Sequence, residues 1–233
     1  MVICQNTAVS IELPAERINL AYCLKMDIDF DKVNAQLKGA TASEIVQWAL
    51  DLKQRTISTT SFGTNAAVML HLVSDIDTSV PTIWIDTGYN LRETYIVAER
   101  LIEKLSLNMH IYSPEMTSER RNALLGGIPT IEDEELHQQF TEQVKLEPFG
   151  RALDDLQPDV WLTGIRKEET AHRQTLDIVS MDNRGILKVA PIFYWSDEDV
   201  ENYMEQFQLP TCKHYFDPTK VHDGRECGLH TAA

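Results

Sequence analysis

Apolar and polar positions along the chain alternate between a helical and a strand-like period. Ile45, Val46, Trp48, Ala49 and Leu52 recur at helical spacing behind a Thr or Ser cap, which predicts the first firm helix from Ser43. Residues 55–60 are rich in β-branched side chains, residues 61–64 punctuate them, and residues 65–73 are strongly helix-forming, so the next unit reads strand, tight loop, helix. A second such unit follows: a strand at 82–85, the turn Asp86-Thr87-Gly88, and a helix from about residue 91 to 105, with Asn90 and Glu93 at capping-box spacing. Residues 108–112 predict a third strand and 160–164 a fourth ending in Gly164, with a helix opening at Glu147-Pro148 and running through Leu156 between them. Residues 185–191 predict a fifth strand, and Ser196 with three following acids begins a helix to Phe207. Residues 113–147, including Glu132-Asp133-Glu134-Glu135, read as an acidic connection, a solvated face or mobile loop.

Strands that alternate with helices predict an α/β fold, a doubly wound and mainly parallel sheet of five or six strands with right-handed crossovers. Ile18, Leu20, Tyr22 and Leu24 fit no single stripe, so residues 1–40 are expected to form an irregular or partly helical arm. Residues 41–208 would then be the α/β domain, and 209–233, dominated by Pro, Lys, His, Asp and Gly, a mobile C-terminal tail. No internal repeat or low-complexity segment interrupts this order.

Charge narrows the set of partners. The 233 residues carry 21 basic and 36 acidic side chains, a formal charge of −15, which opposes wrapping nucleic acid or lying on an anionic membrane. No apolar run approaches the roughly 20 residues of a membrane helix, and residues 1–10 lack the pattern of an export signal, so a cytoplasmic protein is expected. A small anion would need a local basic cluster, and one exists: Arg166, Lys167 and Arg173 directly follow the fourth strand. With Glu168 and Glu169 among them, they can form a solvated face; their place at the C-terminal edge of a sheet favours anion binding.

The two βα turns are the other candidates. The turn Ser61-Phe62-Gly63-Thr64 would leave backbone N–H groups and two hydroxyls at a helix N-terminus, where a phosphate or sulfate is favoured, although many such turns hold nothing. It lacks the glycine patterns of phosphate-loop and dinucleotide folds. Asp86 stands at the C-terminal end of a strand, either as a loop-capping carboxylate or as a ligand. Tyr194 and Trp195 read as packing residues.

Four scattered cysteines, at 4, 23, 212 and 227, form no Cys-x-x-Cys pair and predict neither a zinc nor an iron-sulfur site. Cys4, Cys23 and Cys212 read as buried or incidental. Cys227 differs: glycines at 224 and 228 flank it, with Arg225 two residues before and His230 three after, in a tail with almost no apolar side chains. Exposure and nearby positive charge favour the thiolate, the reactive form.

Three motifs together, Ser61-Phe62-Gly63 leading into Ala66-Ala67-Val68, Asp86-Thr87-Gly88-Tyr89 leading into Glu93-Thr94-Tyr95, and the terminal Glu226-Cys227-Gly228-Leu229-His230, closely resemble the phosphoadenylyl-sulfate reductases of assimilatory sulfate reduction. Glu147-Pro148 with Arg151-Ala152-Leu153, and residues 164–168, also match family positions. The resemblance implies an adenine nucleotide α-hydrolase-like fold and a cluster-free, thioredoxin-dependent enzyme with no bound cofactor. In it, Cys227 would attack the sulfur of 3′-phosphoadenylyl sulfate, releasing adenosine 3′,5′-bisphosphate and leaving an S-sulfocysteine from which thioredoxin or glutaredoxin frees sulfite. Arg166, Lys167, Arg173 and Arg225 would offset the polyanion, and His230 would steady the thiolate, position the sulfate or only anchor the tail. A homodimer is implied as well. The absence of extra cysteine pairs favours the 3′-phosphorylated substrate over adenylyl sulfate. Two departures stand out: residues 209–224 are shorter than the family's segment and lack its substrate loop, some of which Asp217-Pro218-Thr219-Lys220 would replace, and residues 170–173 keep only Arg173 of a Ser-Gly-Ser-Arg type run. The alternatives are a cluster-free adenylyl-sulfate reductase, an ATP pyrophosphatase such as a sulfate adenylyltransferase subunit, and a non-catalytic nucleotide-binding protein.

Overall fold

The computed structural model describes residues 28–130 and 132–220. Its centre is a six-stranded sheet built from β1 (Thr56–Thr60), β2 (Pro81–Ile85), β3 (Asn108–Tyr112), β4 (Val160–Leu162), β5 (Val179–Met181) and β6 (Leu187–Val189) in the order β3-β2-β1-β4-β6-β5. Every pairing is parallel except β5 with β6. The sequence pattern found five of these strands and missed β5, which has only three residues and one fully buried side chain, too little for a period to register. It joins β6 through a turn closed by Asp182, which accepts from the N–H groups of Arg184 and Ile186 at 2.9 Å each.

Alternation along the strands divides the core. In β4, Val160 and Leu162 enter one apolar cluster while Trp161 between them enters another, as a period of two requires. The first cluster takes helices α1 (Phe30–Leu37), α2 (Ala42–Asp51) and α3 (Ala66–Ser74); the other face is covered by α7 (Glu147–Leu156) through Phe149, Ala152 and Leu153. Helix α4 (Arg92–Leu105) packs Val97, Ala98 and Leu101 with Phe62 and Trp84, and α8 (Asp197–Gln206) sends Val200 into the first cluster. Helix α3 is buried almost all round, so it reads as a continuous apolar run between β1 and β2.

The caps explain where the firm helices begin. Thr41 and Glu44 form a capping box at α2, and Ser196 and Asp199 form one at α8. The capping box expected of Asn90 and Glu93 does not form: Asn90 donates to Asp86 at 2.9 Å, and Glu93 faces the C-terminal segment. The larger correction concerns residues 113–147. They are not a loop, because α5 (Ser118–Leu125), α6 (Glu134–Thr141) and a π-helical turn (Glu142–Leu146) occupy most of the stretch and run straight into α7. Thr117 and Asp133 cap α5 and α6. The buried positions here include Arg121, His137 and Lys145 beside Phe140 and Val144, so the inward face does not look apolar in the sequence.

Beyond α8, Leu209 and Cys212 are buried against the α4 cluster, which holds residues 209–220 to the body. Cys4, Cys23, Arg225, Cys227 and His230 lie outside the described residues.

Candidate active site

The strand order reverses between β1 and β4, and a crevice opens at the C-terminal ends of the strands there. Its cavity has a volume of about 290 Å³, within reach of a small ligand. Thr59 and Thr60 close β1 beneath it, Thr163 and Gly164 follow β4, and the turn of residues 61–65 supplies Ser61, Gly63, Thr64 and Asn65. That turn is tight because Phe62 adopts a left-handed backbone (φ 51°), donates its N–H to Thr60 Oγ1 at 3.1 Å, and buries its ring edge-on against Trp84. The start of α3 carries no side-chain cap and borders the cavity, so its positive dipole end favours an anion.

Four cationic side chains, Lys145, Arg166, Arg173 and Lys220, line the cavity against two carboxylates, Glu169 and Asp217. A chain of net charge −15 thus concentrates positive charge at the sheet edge. Short 3₁₀ turns at Lys167–Glu169 and Arg173–Thr175 bring the arginines together. Glu169 pairs with both: with Arg166 at 3.4 Å and with Arg173. Arg166 also reaches Asp197 at 2.7 Å and the Trp195 carbonyl at 3.4 Å. Both guanidinium groups are buried and held in place before any ligand arrives, which limits the cost of ordering them.

The remaining cations come from elements that the sequence pattern did not single out. In the π-helical turn, consecutive residues Val144 and Lys145 both point inward, and Lys145 donates to Asp217 at 2.6 Å and to Thr219 Oγ1 at 3.0 Å. Burial pushes the Asp217 carboxyl upward, but the Lys145 ammonium and the hydrogen bonds from Lys145 and Thr219 outweigh it and hold the group below its ordinary value. A depressed folded pKa gives stability that is complete above the unfolded carboxylate value of about 4 and is lost as pH falls through the lower folded value. Urea unfolding of the wild type and of Asp217→Asn from about pH 6 to about pH 3 should therefore show a stability gap that narrows on acidification; a constant gap would contradict it.

Several residues expected at the site lie elsewhere. Phe62 is buried behind the turn, and Lys167 sits 5.3 Å from the Tyr194 ring centroid, away from the cavity. Asp86, Thr87 and Gly88 do not line it. Asp86 accepts from Gly88 N–H, Asn90 and the Tyr95 hydroxyl at 3.1, 2.9 and 2.8 Å, and burial with this bond pushes the Tyr95 phenol up to about 12. Thr87 is buried and accepts from Tyr89 N–H, while Gly88 (φ 77°) lies close to Ser118. Sequence reasoning missed Lys145, Glu169 as the arginine clamp and Tyr215, and it offered Asp217 and Lys220 only within residues 217–220 as a replacement for part of the substrate loop. Only Glu169, three residues after Arg166 and four before Arg173, left a spacing that can be read. Cys212 is buried, its thiol 3.0 Å from the His214 carbonyl. Among the described residues no group of three or more His, Cys, Asp or Glu side chains is placed to hold a metal ion, and no helix is long and apolar enough to cross a membrane.

A mainly parallel sheet with an anion-favouring crevice at its switch point, entered by a Ser-Phe-Gly-Thr turn, defines an α/β protein of the adenine nucleotide α-hydrolase-like class. The fold is similar to that of Candida glabrata FMN adenylyltransferase (TM-score 0.52, 15% identity, covering 83% of this chain and 63% of that one). It is more similar to the phosphate complex of phosphoadenylyl-sulfate reductase from Candida auris, with a TM-score of 0.69 at 26% identity over 78% of this chain and 87% of that one. The phosphoadenosine 5′-phosphosulfate reductase of a Synechococcus strain is 39% identical over 180 residues, 77% of either chain. The model of the phosphoadenosine phosphosulfate reductase domain matches residues 55–218, and the chain belongs to that family.

Proposed function

We propose that this chain is an oxidoreductase of sulfate assimilation that converts 3′-phosphoadenylyl sulfate to sulfite and adenosine 3′,5′-bisphosphate. The observation that carries the reading is the cationic crevice at the strand switch point, in a chain whose relatives are named for that reaction. Arg166, Arg173 and Lys220, with the start of α3, would receive the phosphate and sulfate groups, and Ser61, Gly63 and Thr64 would border them. Gly164 would keep this edge of the crevice in place by letting α3 pack close, since a Cβ there would stand 3.0 Å from the Met69 side chain.

In the proposed reaction the Cys227 thiolate attacks the sulfate sulfur. An S–S bond forms, the S–O bond to the nucleotide phosphate breaks, and the bisphosphate leaves with that electron pair. A thiolate of thioredoxin or glutaredoxin then attacks Cys227 Sγ and expels sulfite, so sulfur gains the two electrons that the dithiol loses. The donor's second thiol resolves the mixed disulfide and returns Cys227 as a thiol. Arg225 would favour the thiolate, His230 would steady it, and no bound cofactor takes part. A cytoplasmic homodimer completes the reading, because the donor dithiol must be kept reduced.

The test is the intact mass of the protein mixed with 3′-phosphoadenylyl sulfate without reductant. A sulfonate adduct on Cys227, discharged as sulfite when reduced thioredoxin is added, is the expected result. An unmodified chain that releases pyrophosphate from ATP instead would replace this reading with the adenylyl-transferring one.

A further inference from the structure

The stretch just before the proposed nucleophile is bound to the rim of the cavity at several points. Thr211 donates its hydroxyl to the Thr64 carbonyl at 2.8 Å. Glu93 accepts from Lys213 N–H at 2.8 Å and contacts His214 Nδ1 at 3.0 Å. The Tyr215 ring lies over the Gly63 turn, where a Cβ would meet it at 3.5 Å. The last and most buried tie is Lys145 with Asp217 and Thr219, in which both charged side chains are 7% or less exposed. Lys220, directly after it, borders the cavity.

From these contacts we infer that Lys145, Asp217 and Thr219 form a positioning root for the cysteine tail, an inference that rests on the reaction proposed above. A buried ion pair is a poor source of stability but a good source of geometric specificity, because its partners tolerate little displacement. Six residues lie between Lys220 and Cys227, a reach of at most about 25 Å of extended chain, so the place where the root ends limits how far from it the thiol can lie. The root does so from the crevice itself, which Lys145 of the π-helical turn lines together with Ser61 and Gly63. A short connection rooted in this way can deliver a nucleophile without a long substrate loop, since confinement raises the local concentration of the thiol.

The experiment pairs Asp217→Asn with Thr219→Val, which exchanges the hydroxyl for a methyl of similar size and decides the matter if the first variant fails to fold. Three readouts are taken: the single-turnover rate of Cys227 sulfonation, the Kd for adenosine 3′,5′-bisphosphate, and the rate of tryptic cleavage after Lys213 and Lys220. The expected result is slower sulfonation, about 100-fold in Asp217→Asn and about 10-fold in Thr219→Val, with Kd within about threefold of wild type. Cleavage after both lysines should be faster by about 10-fold in Asp217→Asn. Unchanged sulfonation, or a Kd that weakens in parallel with it, would overturn the positioning role, the latter by making the trio part of the nucleotide site. If the wild type forms no sulfonate, the reaction falls on its own account and protease sensitivity decides the root: equal cleavage in all three proteins overturns it.

Discussion

Replacing Cys227 with serine is expected to abolish sulfite release, lowering turnover by at least roughly 10⁴-fold while nucleotide affinity stays within about threefold. The two effects should separate because the described residues that line the crevice fall between Thr59 and Lys220, and the substitution changes none of them. A serine hydroxyl is almost wholly protonated near neutrality, whereas a cysteine thiol, with an ordinary pKa of about 8.5, supplies an appreciable thiolate fraction. Nor can Cys212 substitute for the lost thiol, since it is fully buried with its sulfur against the His214 carbonyl and Thr94. Calorimetric titration with adenosine 3′,5′-bisphosphate beside a sulfite assay checks both halves. Retained turnover would remove Cys227 from the reaction, and lost affinity would place its side chain in the nucleotide site.

What the sequence discloses of this site follows the physics of each part. The βα units were legible because strand and helix periods are carried by long apolar stretches, such as residues 66–73 and 82–85, that have one arrangement in a parallel sheet. The Ser61 turn, Gly164 and the two arginines were legible because they sit at strand ends, where chain order alone brings them to one edge. The pairing of Lys145 with Asp217 was not. They are 72 residues apart, the helical run that holds Lys145 has a mixed polar inner face, and a π-helical turn shifts its register by one residue, which no period of 3.6 anticipates. Asp86 is a converse case: a carboxylate at a strand end suits a ligand and a loop equally well, and it accepts from three donors, all from residues 88–95. Lys167 likewise follows Arg166 in sequence, but the 3₁₀ turn that begins with it sends its side chain to Tyr194.

Lys145→Met tests the energetic side of the same pair, with an expected destabilisation of about 3–5 kcal/mol, because it leaves the Asp217 carboxylate buried without its counter-charge. Methionine nearly preserves the length of the side chain, so little of that loss reflects packing. The pH dependence should also invert. In the wild type the ammonium and hydrogen bonds outweigh burial, and the Asp217 pKa is lowered. Without the ammonium, burial, the largest single influence on that carboxyl, should dominate and raise the folded pKa above its unfolded value of about 4. A raised carboxyl pKa gives stability that is present below the unfolded value and is lost as pH rises through the folded one. Acidification toward pH 4 should therefore narrow the deficit of Lys145→Met against wild type, from the variant's side as well as from the wild type's. Adding Asp217→Leu to Lys145→Met should recover most of the lost stability at neutral pH, since an apolar pair of similar volume has no charge to desolvate. Urea unfolding of the single and double variants at two pH values measures all of this, and a double variant no more stable than the single one would show that the loss came from something other than an uncompensated charge.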